Sequence, residues 1–127
     1  MMTKLFAFAD QQGASDLHLS ANRCAYIRKN GALIPITETP ISDNILKKAL
    51  ISLLSQRESE TFSTLGSVDF AANITLPLKK LRVRGHYFKS LQGITAVFRL
   101  ISSKIQTLAA ISAPPILAKI LQKKSGL

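Results

Sequence analysis

The chain has 127 residues, of which 46% are hydrophobic and 19% charged. That is enough apolar material for one self-supporting core, and it excludes a disordered chain or a disulfide-stapled miniprotein. Seventeen Lys and Arg against seven Asp and Glu give a net charge of +10, which points to an anionic partner such as nucleic acid, phosphate, a membrane surface or an acidic protein face.

The opening segment Thr3 to Gln12 carries Leu5, Phe6 and Phe8 with Ala7 and Ala9, which suits a short helix stopped by Gly13. Its apolar run is too short for a signal-peptide core, and no segment of the chain approaches the ~18 apolar residues of a membrane span, so the reading is a soluble cytoplasmic chain. Cys24 is alone, so it cannot form an internal bridge, and it reads as a half-buried filler in a reducing compartment.

Asp16 to Ser20, Ala25 to Lys29 and Ala32 to Ile36 read as strands, with Asn30-Gly31 as a type I′ hairpin turn and Pro35 at an edge or strand end. In the first strand Asp16, His18 and Ser20 alternate with Leu17 and Leu19. An acid, a base and a hydroxyl invite a nucleophilic triad, but alternate residues of one strand project about 6.5 to 7 Å apart, whereas a proton relay needs about 3.2 Å. The three are therefore read as the polar face of a half-buried strand.

Farther on, Ile45, Leu46, Ala49, Leu50, Leu53 and Leu54 form a stripe at helical spacing, which predicts a helix from about Asp43 to Ser55 with Ser42 as its N-cap. "QRESETFSTLG" predicts a further turn or two of helix closing at Gly66. "SVDFAANI" returns to alternation, and "LPLKK" reads as a loop or hairpin. "KLRVRGHYF" and "GITAVFRLI" are the strongest strand patterns, joined by "KSLQ". In the former, Leu81, Val83, Gly85 and Tyr87 take one face while Arg82, Arg84, His86 and Phe88 take the other. Ser102 to Ala113 reads as a linker, and Pro114-Pro115 open an apolar helix to about Lys124, followed by Gly126. The sum is an α+β domain with a mainly antiparallel sheet.

The chain holds no G-x-x-x-x-G-K-[ST] or G-x-G-x-x-G loop, and its two histidines lack a metal-ligand spacing, so no metal site is expected. "RGHYF" faintly resembles an RNA-recognition core, but His86 and Tyr87 occupy the wrong positions, and Tyr87 and Phe88 face opposite ways. A stand-alone nucleic-acid-binding module stays as the alternative, with nucleic acid disfavoured.

"QGASDLHLS" (residues 12–20), "IRKNGALIPI" (27–36), "DF" at Asp69 and Phe70, "RVRGHYF" (82–88) and "AVFRLIS" (96–102), with the terminal "GL", occur in this order. Together they resemble the N-terminal domain of the PilT-type twitching-motility ATPases of the secretion ATPase superfamily. The resemblance implies a PAS-like antiparallel sheet of about six strands with flanking helices over residues 1–101. Residues 102–127 would then be a linker and helix leading to a RecA-like ATPase domain whose Walker A loop lies past Leu127. It also implies a homo-hexameric pilus retraction motor that is cytoplasmic and peripheral to the inner membrane, working with the pilus inner-membrane machinery. The fragment would have no catalysis and no cofactor of its own, while the parent would bind ATP and Mg and hydrolyse ATP. Related secretion or conjugation ATPases are the near alternatives. By motif position, Arg84 and Arg99, with Arg82 as a weaker match, would be arginines that lean over nucleotide bound by the ATPase domain. Two departures stand out: the family's usual "GRFRVN" reads "LRVRGH", so Gly85 and His86 replace an aliphatic and a polar residue, and "GLPP" reads "NRCA".

Overall fold

The computed structural model describes residues 1–102 and 106–125. Its elements run α1 (Met2–Gln11), β1 (Asp16–Ser20), β2 (Tyr26–Lys29), β3 (Ala32–Pro35), α2 (Asp43–Ile51), α3 (Gln56–Leu65), β4 (Ser67–Thr75), β5 (Lys80–Ser90), β6 (Gly93–Ile101) and α4 (Ile116–Ile120). The strands form one six-stranded sheet in the order β3-β2-β1-β6-β5-β4, antiparallel at every junction. The expected α+β sheet with flanking helices is therefore present.

Two hairpin units, β1-β2-β3 and β4-β5-β6, meet where β1 pairs with β6 from Asp16↔Arg99 to Ser20↔Thr95. The first unit turns at Asn30 and Gly31, both at positive φ (50° and 83°), as the dipeptide predicts. Pro35 ends β3 on the sheet edge, where its missing donor costs no ladder bond.

The alternation of β1, β4, β5 and β6 separates the faces. Leu17, Leu19, Val83, Tyr87, Ala96 and Phe98 are fully buried and face α1 to α3, which contribute Phe6, Leu46, Leu50 and Phe62 to the same core. An aromatic cluster sits at its centre. Phe6 meets Phe98 edge-on at 4.8 Å, and Phe70 meets Tyr87 at 4.6 Å. Edge-to-face contacts of this kind add about 0.5–1.5 kcal/mol each to the burial itself. Because the helices cover one face, the opposite face of the sheet is left open, and it carries the polar residues of the alternation.

The helix boundaries depart from expectation at two places. α2 stops at Ile51 rather than near Ser55, because Leu53 and Leu54 turn in against the core and Ser55 starts the next helix. Ser55 completes a capping box: its Oγ accepts from the Glu58 amide at 3.4 Å, and its own amide donates to Glu58 Oε2 at 2.7 Å. α3 consequently runs ten residues to Gly66, longer than the turn or two expected. Ser42 is the N-cap of α2 by position, without a side-chain cap bond. α4 ends at Ile120 instead of about Lys124 and buries none of its residues, and a helix without a buried face has little to hold its last turns. The expected terminal glycine, Gly126, and part of the expected linker lie outside the described residues.

Candidate functional site: a basic row on the open face

The register of β5 and β6 places Arg84 directly opposite Arg99, and that of β1 and β6 places Arg99 opposite Asp16, which is in turn opposite Arg28 on β2. A single row across the open face thus reads Arg28, Asp16, Arg99, Arg84. Arg84 and Arg99, the two arginines that the resemblance singles out, thus share one face on adjacent strands. Arg82 lies one step along β5, opposite Ile101 and Asn73.

Two like charges directly opposite on a sheet repel, so their surroundings decide what they can do. Arg99 is steadied by Asp16, with Nε 3.3 Å from Oδ1. Arg28 stands 3.7 Å from Oδ2 of the same carboxylate, and the Ser15 hydroxyl donates to it at 2.8 Å. Asp16 is accordingly buried, its side chain only 10% exposed between the two arginines, while Arg99 remains 74% exposed. Asp16 thus lies on the polar face of β1, as its alternation with Leu17 implies, but is covered there by its two cationic neighbours. Arg84 and Arg82 make no hydrogen bond or ion pair among the described residues, so their donors are available.

A shallow basin of about 490 Å³ opens over this row, lined by Asp16, Asp69, Ala71, Arg84, His86 and Arg99 among others. Both of its carboxylates are engaged, Asp16 as described and Asp69 by His86, whose Nδ1 lies 2.9 Å from Oδ1. The His86 ring also leans against Phe88 at 5.5 Å. No local sequence pattern pairs His86 with a carboxylate, since Asp69 reaches it only through the β4–β5 register.

The other residues singled out in the sequence do not join the row's chemistry. His18 faces the same side as Asp16, but its Nε2 is buried without a hydrogen-bond partner among the described residues. Burial lowers its pKa, opposed by the nearby Asp16 carboxylate and aided by Arg28. Ser20 makes no bond to it, so the triad fails on contacts as well as on spacing. Tyr87 is fully buried among the core aromatics, and burial pushes its phenol far above the ordinary value. It therefore cannot stack on a base, which removes half of the aromatic pair that an RNA-binding reading needs. Among the described residues no group of three or more His, Cys, Asp or Glu is placed to hold a metal ion, and no helix is long and apolar enough to cross a membrane.

The backbone beneath this face is shared with solved structures. The pilus retraction motor PilT with bound ADP superposes with a TM-score of 0.79 over 98% of this chain and 36% of that one, at 21% identity. The fold is that of the PilT N-terminal domain. The DotB ATPase of Legionella pneumophila superposes with a TM-score of 0.81 over 98% of the chain, at 17% identity. In sequence, the chain is 28% identical over 124 residues to the type IV pilus ATPase PilU of Pseudomonas aeruginosa. It is 29% identical over 126 residues to the type IV pilus retraction ATPase PilT of the same organism. These alignments cover 98% and 99% of the chain but only 32% and 36% of the relatives, so this PilT-like domain spans about a third of their length. It corresponds to their N-terminal region. No family model matches the chain.

Proposed function

We propose that the chain is the N-terminal domain of a PilT- or PilU-like motor ATPase, and that its open basic face works on nucleotide held by an ATPase domain that follows it in the same protein. The observation that carries this reading is the direct pairing of Arg84 with Arg99 on a sheet face that no helix covers among the described residues. Guanidinium groups suit phosphate because they stay ionised and present a planar fork of donors, and in phosphoryl transfer such arginines neutralise charge that develops on the transferred group. The basin fits that task as a set of donors. Asp16 is already paired with Arg28 and Arg99 and Asp69 is hydrogen-bonded to His86, so the guanidinium donors of Arg84 and Arg99 form the cationic rim offered to phosphate, and Mg would be held by the ATPase domain together with the ATP.

On this reading residues 1–101 form the rigid unit, and residues 102–127 connect it to a RecA-like ATPase domain. The isolated chain performs no catalysis. In the assembled protein, a cytoplasmic homo-hexamer at the inner-membrane base of a pilus machine, the sheet would swing against the ATPase domains of its own and neighbouring subunits as nucleotide turns over. Arg84 and Arg99 would make the closest phosphate contacts, with Arg82 one step farther along β5. The retraction role is favoured over related secretion or conjugation motors by the two pilus ATPases among the sequence relatives.

The test is steady-state ATP hydrolysis by the full protein carrying Arg84→Ala and Arg99→Ala together. The expected result is a fall in kcat of at least about tenfold, the equivalent of about 1.4 kcal/mol of lost transition-state stabilisation. Unchanged turnover by a folded hexamer would refute the assignment.

A further inference from the structure

The basin holds a third nitrogen donor that the arginine pair does not account for. His86 sits two residues from Arg84 on the same face of β5, opposite Val97 and diagonal to Arg99, and it lines the same basin. Its Nδ1 lies 2.9 Å from Asp69 Oδ1 on β4. A carboxylate only accepts, so this bond places a hydrogen on Nδ1, and the variable position of the ring is Nε2. In the neutral ring Nε2 is an acceptor, which repels a phosphate oxygen. In the imidazolium it is a donor beside two guanidinium groups. Histidine is the side chain whose unperturbed charge change falls between about pH 5 and 8, which makes it the residue type suited to such a change of role.

Resting on the nucleotide reading above, we infer that His86 is a proton-gated third contact for the polyphosphate group. The charged and titratable groups around it support the coupling. Asp69 on β4 favours the imidazolium, Arg84 on its own strand and Arg99 on β6 oppose it, and His18 lies two strands away, across β6. A polyphosphate bound against Arg84 and Arg99 offsets their repulsion, so anion binding and protonation reinforce each other, each strengthening the other by the same factor. Asp69 acts through His86 as a positioning residue. The consequence is an anion affinity, and hence a motor, that responds to pH at this sheet face.

The experiment is calorimetric titration of the 127-residue protein with inorganic pyrophosphate at low ionic strength, near pH 5.5 and near pH 8, beside His86→Asn and His86→Lys. Because the probe's own titration is common to all three proteins, differences between them report residue 86. Wild type should gain about tenfold more affinity than His86→Asn on acidification, the factor that corresponds to one pH unit of linkage. His86→Lys, cationic throughout, should bind as tightly near pH 8 as wild type does near pH 5.5. Equal pH responses in wild type and His86→Asn would overturn the inference while leaving the arginine reading standing. Equal pyrophosphate affinity in wild type and the Arg84→Ala, Arg99→Ala protein would overturn the arginine reading instead. Absence of binding at both pH values would contradict the inference outright.

Discussion

Gly85 shows how one residue on the covered face of β5 shapes the site on the other. It pairs with Phe70 across β4 and β5, and a Cβ there would collide with the edge of the Phe70 ring. The missing side chain lets the Phe70 ring approach β5 closely and reach Tyr87 and, at 6.2 Å, Phe98. The departure from the family pattern at Gly85 thus has a packing cause: a large ring on the neighbouring strand fills the space that an aliphatic side chain would take. Gly85→Ala should destabilise the fold by about 1–3 kcal/mol, the usual range for overpacking a tight core, as measured by urea unfolding. Adding Phe70→Leu should recover part of that loss. If Gly85→Ala unfolds at the wild-type midpoint, the ring does not occupy that space. Asp16 illustrates the limit of sequence patterning at this scale. Its alternation with Leu17 assigns it to the polar face, as observed, but its burial arises from Arg28 and Arg99, which only the register of three strands brings to its two sides.

At the scale of elements, hydrophobic period and turn chemistry predicted every strand to within about a residue or two, together with the Asn-Gly hairpin and the helical character of α1 to α3. These features are local, and local physics decides them. The length of α4 was not legible, because it depends on what the helix packs against. The capping box at Ser55 and Glu58 was present in the sequence as S-x-x-E and would have moved the helix break to its true place. It carries a prediction. The Glu58 carboxylate is held below its ordinary value of 4.5 by its bonds from the Ser55 hydroxyl and amide. A carboxyl group shifted down stabilises the fold above its unfolded pKa, and that contribution disappears as pH falls through the folded one. Ser55→Ala should therefore lower stability by about 1 kcal/mol at neutral pH, and the gap to wild type should narrow as the pH drops below 4.5. A gap that persists unchanged in acid would mean that Glu58 takes no part in the cap.

For the whole molecule, the decisive feature is one-sidedness: three helices bury one face of the sheet and leave the other, with its row of arginines, uncovered among the described residues. The strand faces of Arg84 and Arg99 could be read from alternation, and the resemblance pointed to both residues. Their direct opposition, the bracing of Arg99 by Asp16 and the place of His86 beside them required the sheet order, which brings β1 against β6 across most of the chain length. The excess positive charge of the chain is thereby partly explained, since Arg28, Arg82, Arg84 and Arg99 all point from the open face. The most direct test of the account is a structure of the full protein with a non-hydrolysable ATP analogue bound. The account predicts the Arg84 and Arg99 guanidinium groups at charge-assisted hydrogen-bond distance, about 2.7–2.9 Å, from phosphate oxygens of the analogue in at least one subunit. A nucleotide-bound assembly in which this sheet face points to solvent in every subunit would contradict it.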